Sequence, residues 1–442
     1  MESHGTGHLF RYTRDFAPFV VERAQGSWVW TTDGRKILDF TSGQICSTLG
    51  HNHPRIVEAI SRSLGTVIHL NSWMLSTPVL ALAERLTSLL PAPLERVLLL
   101  STGGEANEAA FKIAKMYTKR VEIAGLARSW HGVTSAALSV NYAAGRRGYG
   151  PLMPGTLMLP APTAYRCPIR HCQGTCDMTC LDVGCELLDQ ASIGSLAAVV
   201  VEPVLSAGGV IVPPPGYLAH LQEKCRERGA LLIVDECQTG FGRTGTMFGF
   251  EADGIVPDIV TASKTLGGGV PISAVVTSPA IESDCYAKGF LHVTSHVSDP
   301  MPATAALAVI DVVMEEDLAT RARLRGEYLM TRLRKLQERY EQIGDVRGRG
   351  LLVGVELVKD REKKEPADEF AHAVMEQCLR GGLSMNIVRS AADMFGANCF
   401  RMAPPLSVSE EEIDMAVEII DRSMGSVLAQ PTYRRPAVAT RE

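Results

Sequence analysis

The sequence predicts an α/β protein with a large, mostly parallel sheet covered by helices on both faces and a smaller α+β unit beside it. Three observations carry this. Short apolar runs recur at residues 96–101, 196–201, 230–235 and 259–263. They are too short for helices and apolar on both faces, as strands of a covered parallel sheet are. Helical periodicity separates them, at residues 105–118 and 216–228. Past a long charged helical stretch, 317–340, the pattern changes. A Gly/Arg linker at 344–350 leads into 351–357, which alternates like a strand with one wet face.

The chain has 442 residues, 46% hydrophobic and 21% charged, a globular balance that excludes a disordered or fibrous chain. The 44 basic and 49 acidic residues give a formal charge of -5. No basic field argues for nucleic acid or an anionic membrane. No apolar run approaches the ~18 residues that span a bilayer, and residues 1–14 lack the apolar core of a secretory leader. Eleven cysteines are spread through the chain, which fits a reducing compartment and predicts a cytoplasmic protein. The expected division is 1–57 as the N-terminal part of the small domain and 58–320 as the large domain. Residues 321–428 complete the small domain, and 429–442 form a loose tail.

The residues that carry chemistry stand at the ends of the expected strands. Asp235 ends an apolar strand, where α/β folds place their ligands. Lys264 follows another and precedes three glycines. Gly103 and Gly104 lie between a strand and a helix N-terminus, a ready phosphate site of free N–H groups and positive dipole end. Trp130, beside His131, offers a ring that can lie flat on another ring. Each feature alone is common in proteins without such chemistry; their joint order carries the reading. A lysine, an acid, a phosphate cradle and an aromatic platform are what a pyridoxal phosphate (PLP) enzyme needs.

The run from Asp235 to Gly245 (DECQTGFGRTG), then Pro257, Asp258 and Ile259, then Ser263 and Lys264, resembles the signature of class III aminotransferases of the type I PLP fold. The resemblance runs from about residue 26 to about residue 424. Shorter stretches, among them 38–44 (LDFTSGQ), 129–132 (SWHG) and 296–300 (HVSDP), resemble the 2,2-dialkylglycine decarboxylase branch of that family.

This resemblance implies roles. Lys264 bonds the cofactor and later moves the proton, Asp235 pairs with the ring nitrogen, and Trp130 stacks on the ring. Gly103 and Gly104 hold the phosphate, with Ser295 reaching in from a second subunit. Gln238 bonds the phenolic oxygen and Glu202 lies near the cofactor. Arg401 clamps a substrate carboxylate and Gln44 contacts the carboxylate that leaves. Ala207 stands where relatives that use ω-amines carry an acid, so Arg401 stays available for an α-carboxylate. Trp73 and Val133 depart from the branch and imply a reshaped pocket.

The branch also carries an alkali-ion site, implying a potassium ion at Leu70, Ser72, Ser295, Val297 and Asp299; alternatively Asp299 simply caps the turn before Pro300. Cys167, Cys172, Cys176, Cys180 and Cys185, with His171 among them, are either metal ligands or plain thiols.

The expected reaction is decarboxylation of a 2,2-dialkylglycine such as 2-aminoisobutyrate, coupled to transamination of a 2-oxo acid such as pyruvate. The alternatives are an ordinary aminotransferase, a specialised biosynthetic PLP enzyme acting on an unusual α-amino acid, and a non-catalytic relative. A homodimer, or a tetramer built from it, is expected.

Overall fold

The computed structural model describes residues 8–13, 16–142, 148–167, 169, 176–388 and 398–433. The chain opens with an antiparallel meander of β1 (Val21–Gln25), β2 (Trp28–Thr31) and β3 (Lys36–Asp39). Seven strands then build the large sheet: β4 (Arg96–Leu100), β5 (Glu122–Leu126), β6 (Thr156–Leu159), β7 (Leu196–Val201), β8 (Leu231–Asp235), β9 (Ile259–Ala262) and β10 (Ser273–Thr277). Their spatial order is β4-β10-β9-β8-β7-β5-β6. β10 runs antiparallel to both of its neighbours, while the pairings from β9 across to β6 are all parallel.

β5 and β7 to β10 are buried at every position. Alternate residues of β7 serve different cores. Val199 and Val201 pack with Leu181, Leu218 and Leu221 on one face. Ala198 and Val200 pack with Ala109, Ala110 and Ile113 on the other. A strand reads as apolar throughout when both pleat directions end in a helix layer.

The C-terminal part holds β11 (Ile343–Arg349), β12 (Leu352–Leu357), β13 (Leu383–Ser384), β14 (Asn386–Val388) and β15 (Cys399–Met402). β11, β12, β15 and β14 form one sheet, while β13 pairs in parallel with β3. Early and late segments therefore share a sheet. Glu412 adds side-chain bonds to Ser27 Oγ (3.0 Å) and Trp28 Nε1 (2.8 Å). It also closes a capping box with Ser409 at the start of the helix Glu410–Leu428.

The wet face expected for residues 351–357 is absent. β12 is buried throughout, and Glu356 is 1% exposed. Arg166 Nε and Arg347 Nη1 (2.8 Å) neutralise its carboxylate, which is how a charge sits inside a sheet. The helix Pro300–Glu315 joins the two halves: Ala303, Ala306 and Ile310 enter the core of the large sheet, and Val309, Val312 and Val313 the C-terminal core. Of the tail expected to be loose, Pro431–Tyr433 form a 3-10 turn, and the Tyr433 ring meets Phe370 edge-on at 5.6 Å. Residues 434–442 lie outside the described residues.

Candidate active site

The expected functional groups come from one edge of the large sheet. Asp235 is the last residue of β8, Glu202 follows β7, and Lys264 follows β9 by two residues. Trp130 lies four residues past β5, and Gly103 three past β4. The carboxyl edge of an open α/β sheet is where free backbone ends and helix N-termini converge.

Asp235 is 3% exposed and fully bonded on one oxygen. Its Oδ2 accepts from Asn107 Nδ2 and meets His131 Nδ1, both at 2.8 Å. The Cys237 amide donates to Oδ1 at 3.0 Å. Burial pushes this carboxyl up, but the His131 bond and charge and the Cys237 amide outweigh it and hold the group below the ordinary carboxylate range. The result is a buried anion kept ionised. Asn107 is itself fixed, since its Nδ2 also donates to His131 O (2.7 Å) and its Oδ1 accepts from Thr261 (2.8 Å).

Glycine is required where the loop 129–132 meets the helix Gly103–Thr118. A Cβ on Gly132, at φ 141°, would lie 2.6 Å from the Gly104 Cα. One on Gly103 would lie 2.8 Å from Cys237 Sγ. Thr102 Oγ1 caps the Glu105 amide at 3.3 Å, which leaves the amides of the two side-chain-free residues, Gly103 and Gly104, for an anion.

Glu202 braces the same loop: its carboxylate accepts from the Trp130 amide (2.8 Å) and the Ser206 amide (3.2 Å). Burial raises its pKa to about 7. Trp130 itself is half-buried.

Arg401, on β15, is 8% exposed, and burial lowers its pKa to about 10. Its Nη1 donates to Ser206 Oγ (3.2 Å) and Gln238 Oε1 (3.3 Å), and its Nε has no partner. A buried guanidinium held by two neutral groups, with a donor unspent, suits an arriving carboxylate. Ala207 lies beside this pair but offers nothing to it. The hydroxyl at Arg401 comes from Ser206, so the loss of a hydroxyl expected from Ala207 leaves the guanidinium still bonded. With its oxygen on Arg401, Gln238 has its NH2 left to donate.

Lys264 is held at φ 46°, a conformation that non-glycine residues seldom adopt and that concentrates at functional sites. Gln44 is exposed in a tight turn whose neighbour Ser42 donates to Ala403 O (2.6 Å), two residues past Arg401. Ser295 is exposed rather than turned into this chain's own site.

The side-chain oxygens of Asp299, the one carboxylate of the expected potassium set, are taken up by two imidazoles. Asp299 holds the N-cap position of Pro300–Glu315 but makes no capping bond. Its two oxygens face His69 Nδ1 and His296 Nδ1, each at 2.6 Å. Imidazole nitrogen is a poor companion for potassium, so the contacts of Asp299 lend the potassium expected with Leu70, Ser72, Ser295 and Val297 no support. Among the described residues the only three close metal-ligating groups are these two histidines and Asp299. Among the described residues Cys167, Cys176, Cys180 and Cys185 form no such group of three; burial first, then the neighbouring Cys176 and Cys167, raise the Cys180 thiol to about 11. His171 and Cys172 lie outside the described residues.

The set fits PLP: a buried ionised carboxylate at a strand end, glycine-only contact at a helix start, and a lysine in a strained backbone. Asn107, His131 and Ser206 complete it and were not foreseen. Asn107 stands one helical turn after Gly103 on the same face, and that spacing was the available signal.

Comparison with known proteins agrees. The family model described as "Aminotransferase class-III" matches residues 11–424. An uncharacterised aminotransferase of Schizosaccharomyces pombe is 47% identical over 417 residues, covering 94% of this chain and 92% of that protein. A leucine/methionine racemase of Thermococcus litoralis is 35% identical, covering 93% and 92%. An amine transaminase from an uncultivated Pseudomonas species, solved in its PLP-bound form, superposes with a TM-score of 0.85 at 30% identity, covering 96% of this chain and 98% of that one. An anion at β8, a lysine past β9 and a family match over most of the chain lead to one conclusion: this protein belongs to the class III aminotransferases and is a PLP-dependent enzyme of the type I fold.

Proposed function

We propose that the enzyme takes α-amino acids and couples decarboxylation of a 2,2-dialkylglycine to transamination of a 2-oxo acid. The carrying observation is Arg401: buried, bonded only to Ser206 and Gln238, with its Nε unspent. A substrate with a carboxylate on Cα completes it; an ω-amine without one leaves it buried and unanswered.

When bound, PLP supplies an electron sink for the bond broken at Cα. Asp235 keeps a negative charge at the strand end to hold the ring nitrogen's proton. Lys264 Nζ would hold the cofactor and deliver a proton to it rather than to Cα, so that Cα leaves as the ketone and the amino group stays behind for the 2-oxo acid. Glu202 fixes Trp130 over the site. Arg401 orients the substrate, and Gln44 bonds the carboxylate that departs. A quaternary Cα has no hydrogen, so carboxylate is the group such a substrate can lose. With 2-aminoisobutyrate and pyruvate the products are carbon dioxide, acetone and alanine, which balances.

Ordinary transamination, with a Cα proton removed instead, is the second reading. The racemase and aminotransferase names among its relatives favour it. Carbon dioxide and ketone assays over a panel of α,α-dialkyl and α-monoalkyl amino acids decide. Release from the dialkyl members supports the first reading; amino transfer without carbon dioxide across the whole panel overturns it.

The proposal includes a homodimer with Ser295 serving the partner's phosphate, and takes 58–320 as the cofactor-holding unit against 1–57 with 321–428. Exposed Trp73, Leu75, Val133, Leu291 and Val293 support an interface. A potassium ion at Asp299 belongs to it only if rates differ between potassium, sodium and tetramethylammonium buffers of equal ionic strength. Among the described residues no helix is long and apolar enough to cross a membrane. A cytoplasmic location is proposed on composition.

A further inference from the structure

Four consecutive residues, Ser42 (φ 45°), Gly43 (50°), Gln44 (66°) and Ile45 (64°), occupy the left-handed region. Together they make a left-handed turn, closed by bonds from the Ile45 amide to Thr41 O and from the Cys46 amide to Ser42 O. L-residues visit this region singly, and a β-branched residue such as Ile45 is the least suited to it. Only Gly43 is at ease there. Strain of this kind persists only where the surroundings over-determine it.

Those surroundings centre on Asp39, at the end of β3. Its Oδ1 accepts from the Thr41 amide (2.9 Å) and hydroxyl (2.5 Å). Its Oδ2 accepts from the Gly43 amide (3.1 Å) and meets His51 Nε2 (2.8 Å). Ser42 Oγ ties the turn to Ala403, beyond Arg401. Thr48 Oγ1, just past the turn, meets Thr265 Oγ1 at 2.9 Å, next to Lys264. Ile45 is buried with Val204, Val210, Leu352 and Ala403. Within the turn Ser42 and Ile45 are buried, while Gly43 and Gln44 are exposed. The turn is thus anchored toward the substrate clamp on one side and toward the lysine on the other, and Gln44 is the side chain it presents.

We propose that Asp39 is the positioning residue for Gln44: it holds a strained turn whose relaxed form withdraws the Gln44 amide from the substrate carboxylate. This rests on the reading that Gln44 contacts that carboxylate.

The test uses PLP-loaded enzyme and isobutyrate, a carboxylate with no amine to react. Calorimetry gives its Kd and a melting scan the stability, for Asp39→Asn, Gln44→Gly, the double variant and Thr41→Val. Gln44→Gly removes the amide and the strain, so Kd rises about tenfold while Tm rises. Asp39→Asn raises Kd by a similar factor while Tm falls. The double variant loses no further affinity, because both changes remove one contact. Thr41→Val, which removes only a hydroxyl bond to Asp39, raises Kd about threefold and serves if Asp39→Asn does not fold. If Gln44→Gly leaves Kd unchanged, the reading beneath the proposal falls with it. If Gln44→Gly weakens binding while Asp39→Asn or Thr41→Val does not, or the losses multiply in the double variant, the reading stands and the positioning role of Asp39 is overturned.

Discussion

In the proposed reading Arg401 binds the substrate carboxylate and Ser206 steadies Arg401. The guanidinium supplies a planar fork, and Ser206 Oγ accepts one of its protons at 3.2 Å. Arg401→Lys keeps the charge and loses the fork, so KM for the amino donor and the 2-oxo acid should rise together, by tenfold or more. Ser206→Ala should raise both by about twofold to fivefold, the scale of one neutral hydrogen bond. Steady-state kinetics on both substrates checks this; a rise for one substrate alone would detach Arg401 from one half-reaction. Glu202 leads to a pH prediction. Its folded pKa of about 7 lies above its ordinary value of 4.5. Between those values the folded protein holds a proton that the unfolded chain has released, so stability falls as pH rises through that window. Glu236, also raised to about 7 by burial, adds to the same slope. Melting of the PLP-free protein at pH 5 and pH 7.5 should show the loss, and Glu202→Gln should flatten part of it. Of these residues, Arg401, Glu202, Asp235 and Lys264 were legible because each sits in a recognisable run. Ser206, Asn107 and His131 were not: their roles depend on how far a loop folds back, which residue identity alone does not carry.

At the scale of elements, the helix Gly103–Thr118 and the loop 129–132 meet backbone to backbone through Gly104 and Gly132. Gly132→Ala places a methyl 2.6 Å from the Gly104 Cα, far inside van der Waals contact, and also strains a positive φ. The loop must lift, moving Trp130 and loosening the helix start. PLP affinity, followed by its visible absorbance on titration, should fall at least tenfold, with Tm falling too; unchanged affinity would separate the loop from the cofactor. The apolar strands β7, β8 and β9 were legible because burial on both faces leaves few polar residues, Asp235 and Thr261 among them. β5 was not, since its run Glu-Ile-Ala-Gly-Leu carries a charge and a glycine. The Glu122 carboxylate is accommodated by the Ile193 and Ser195 amides (both 3.1 Å), contacts made beyond the strand itself. The left-handed turn at 42–45 had no signal, because Ser, Gln and Ile do not favour that region.

The whole molecule is tied across its length. Trp28 and Ser27 bond Glu412, β3 pairs with β13, and buried Arg243 reaches Leu351 O (3.0 Å) and Pro404 O from the signature loop. Exposed Trp73, Leu75, Val133, Leu291 and Val293 predict a species of twice the chain mass by light scattering, unchanged on dilution to the micromolar range. A monomer at that concentration would remove Ser295 from the site. The strand at 352–357 was legible as a strand, but its expected alternation was not there to read, because Arg166 and Arg347 let Glu356 be buried with the rest of β12. That both chain ends build one unit was expected from the family resemblance; the pairing of β3 with β13 had no signal of its own, because β13 is two residues long.

The antiparallel strand β10 bears on how the protein is made. Leu100 pairs with Ser273 and Arg96 with Thr277, and all of β5 to β9 lies between them in the chain. On the ribosome β4 therefore emerges long before its sheet neighbour exists. Its apolar edge must wait, unpaired, while the rest of the sheet is synthesised. Contacts of such sequence separation close slowly and leave strand edges open to wrong partners. Nascent chains arrested before residue 273 should stay sensitive to protease near β4, and chains released past residue 277 should become resistant there.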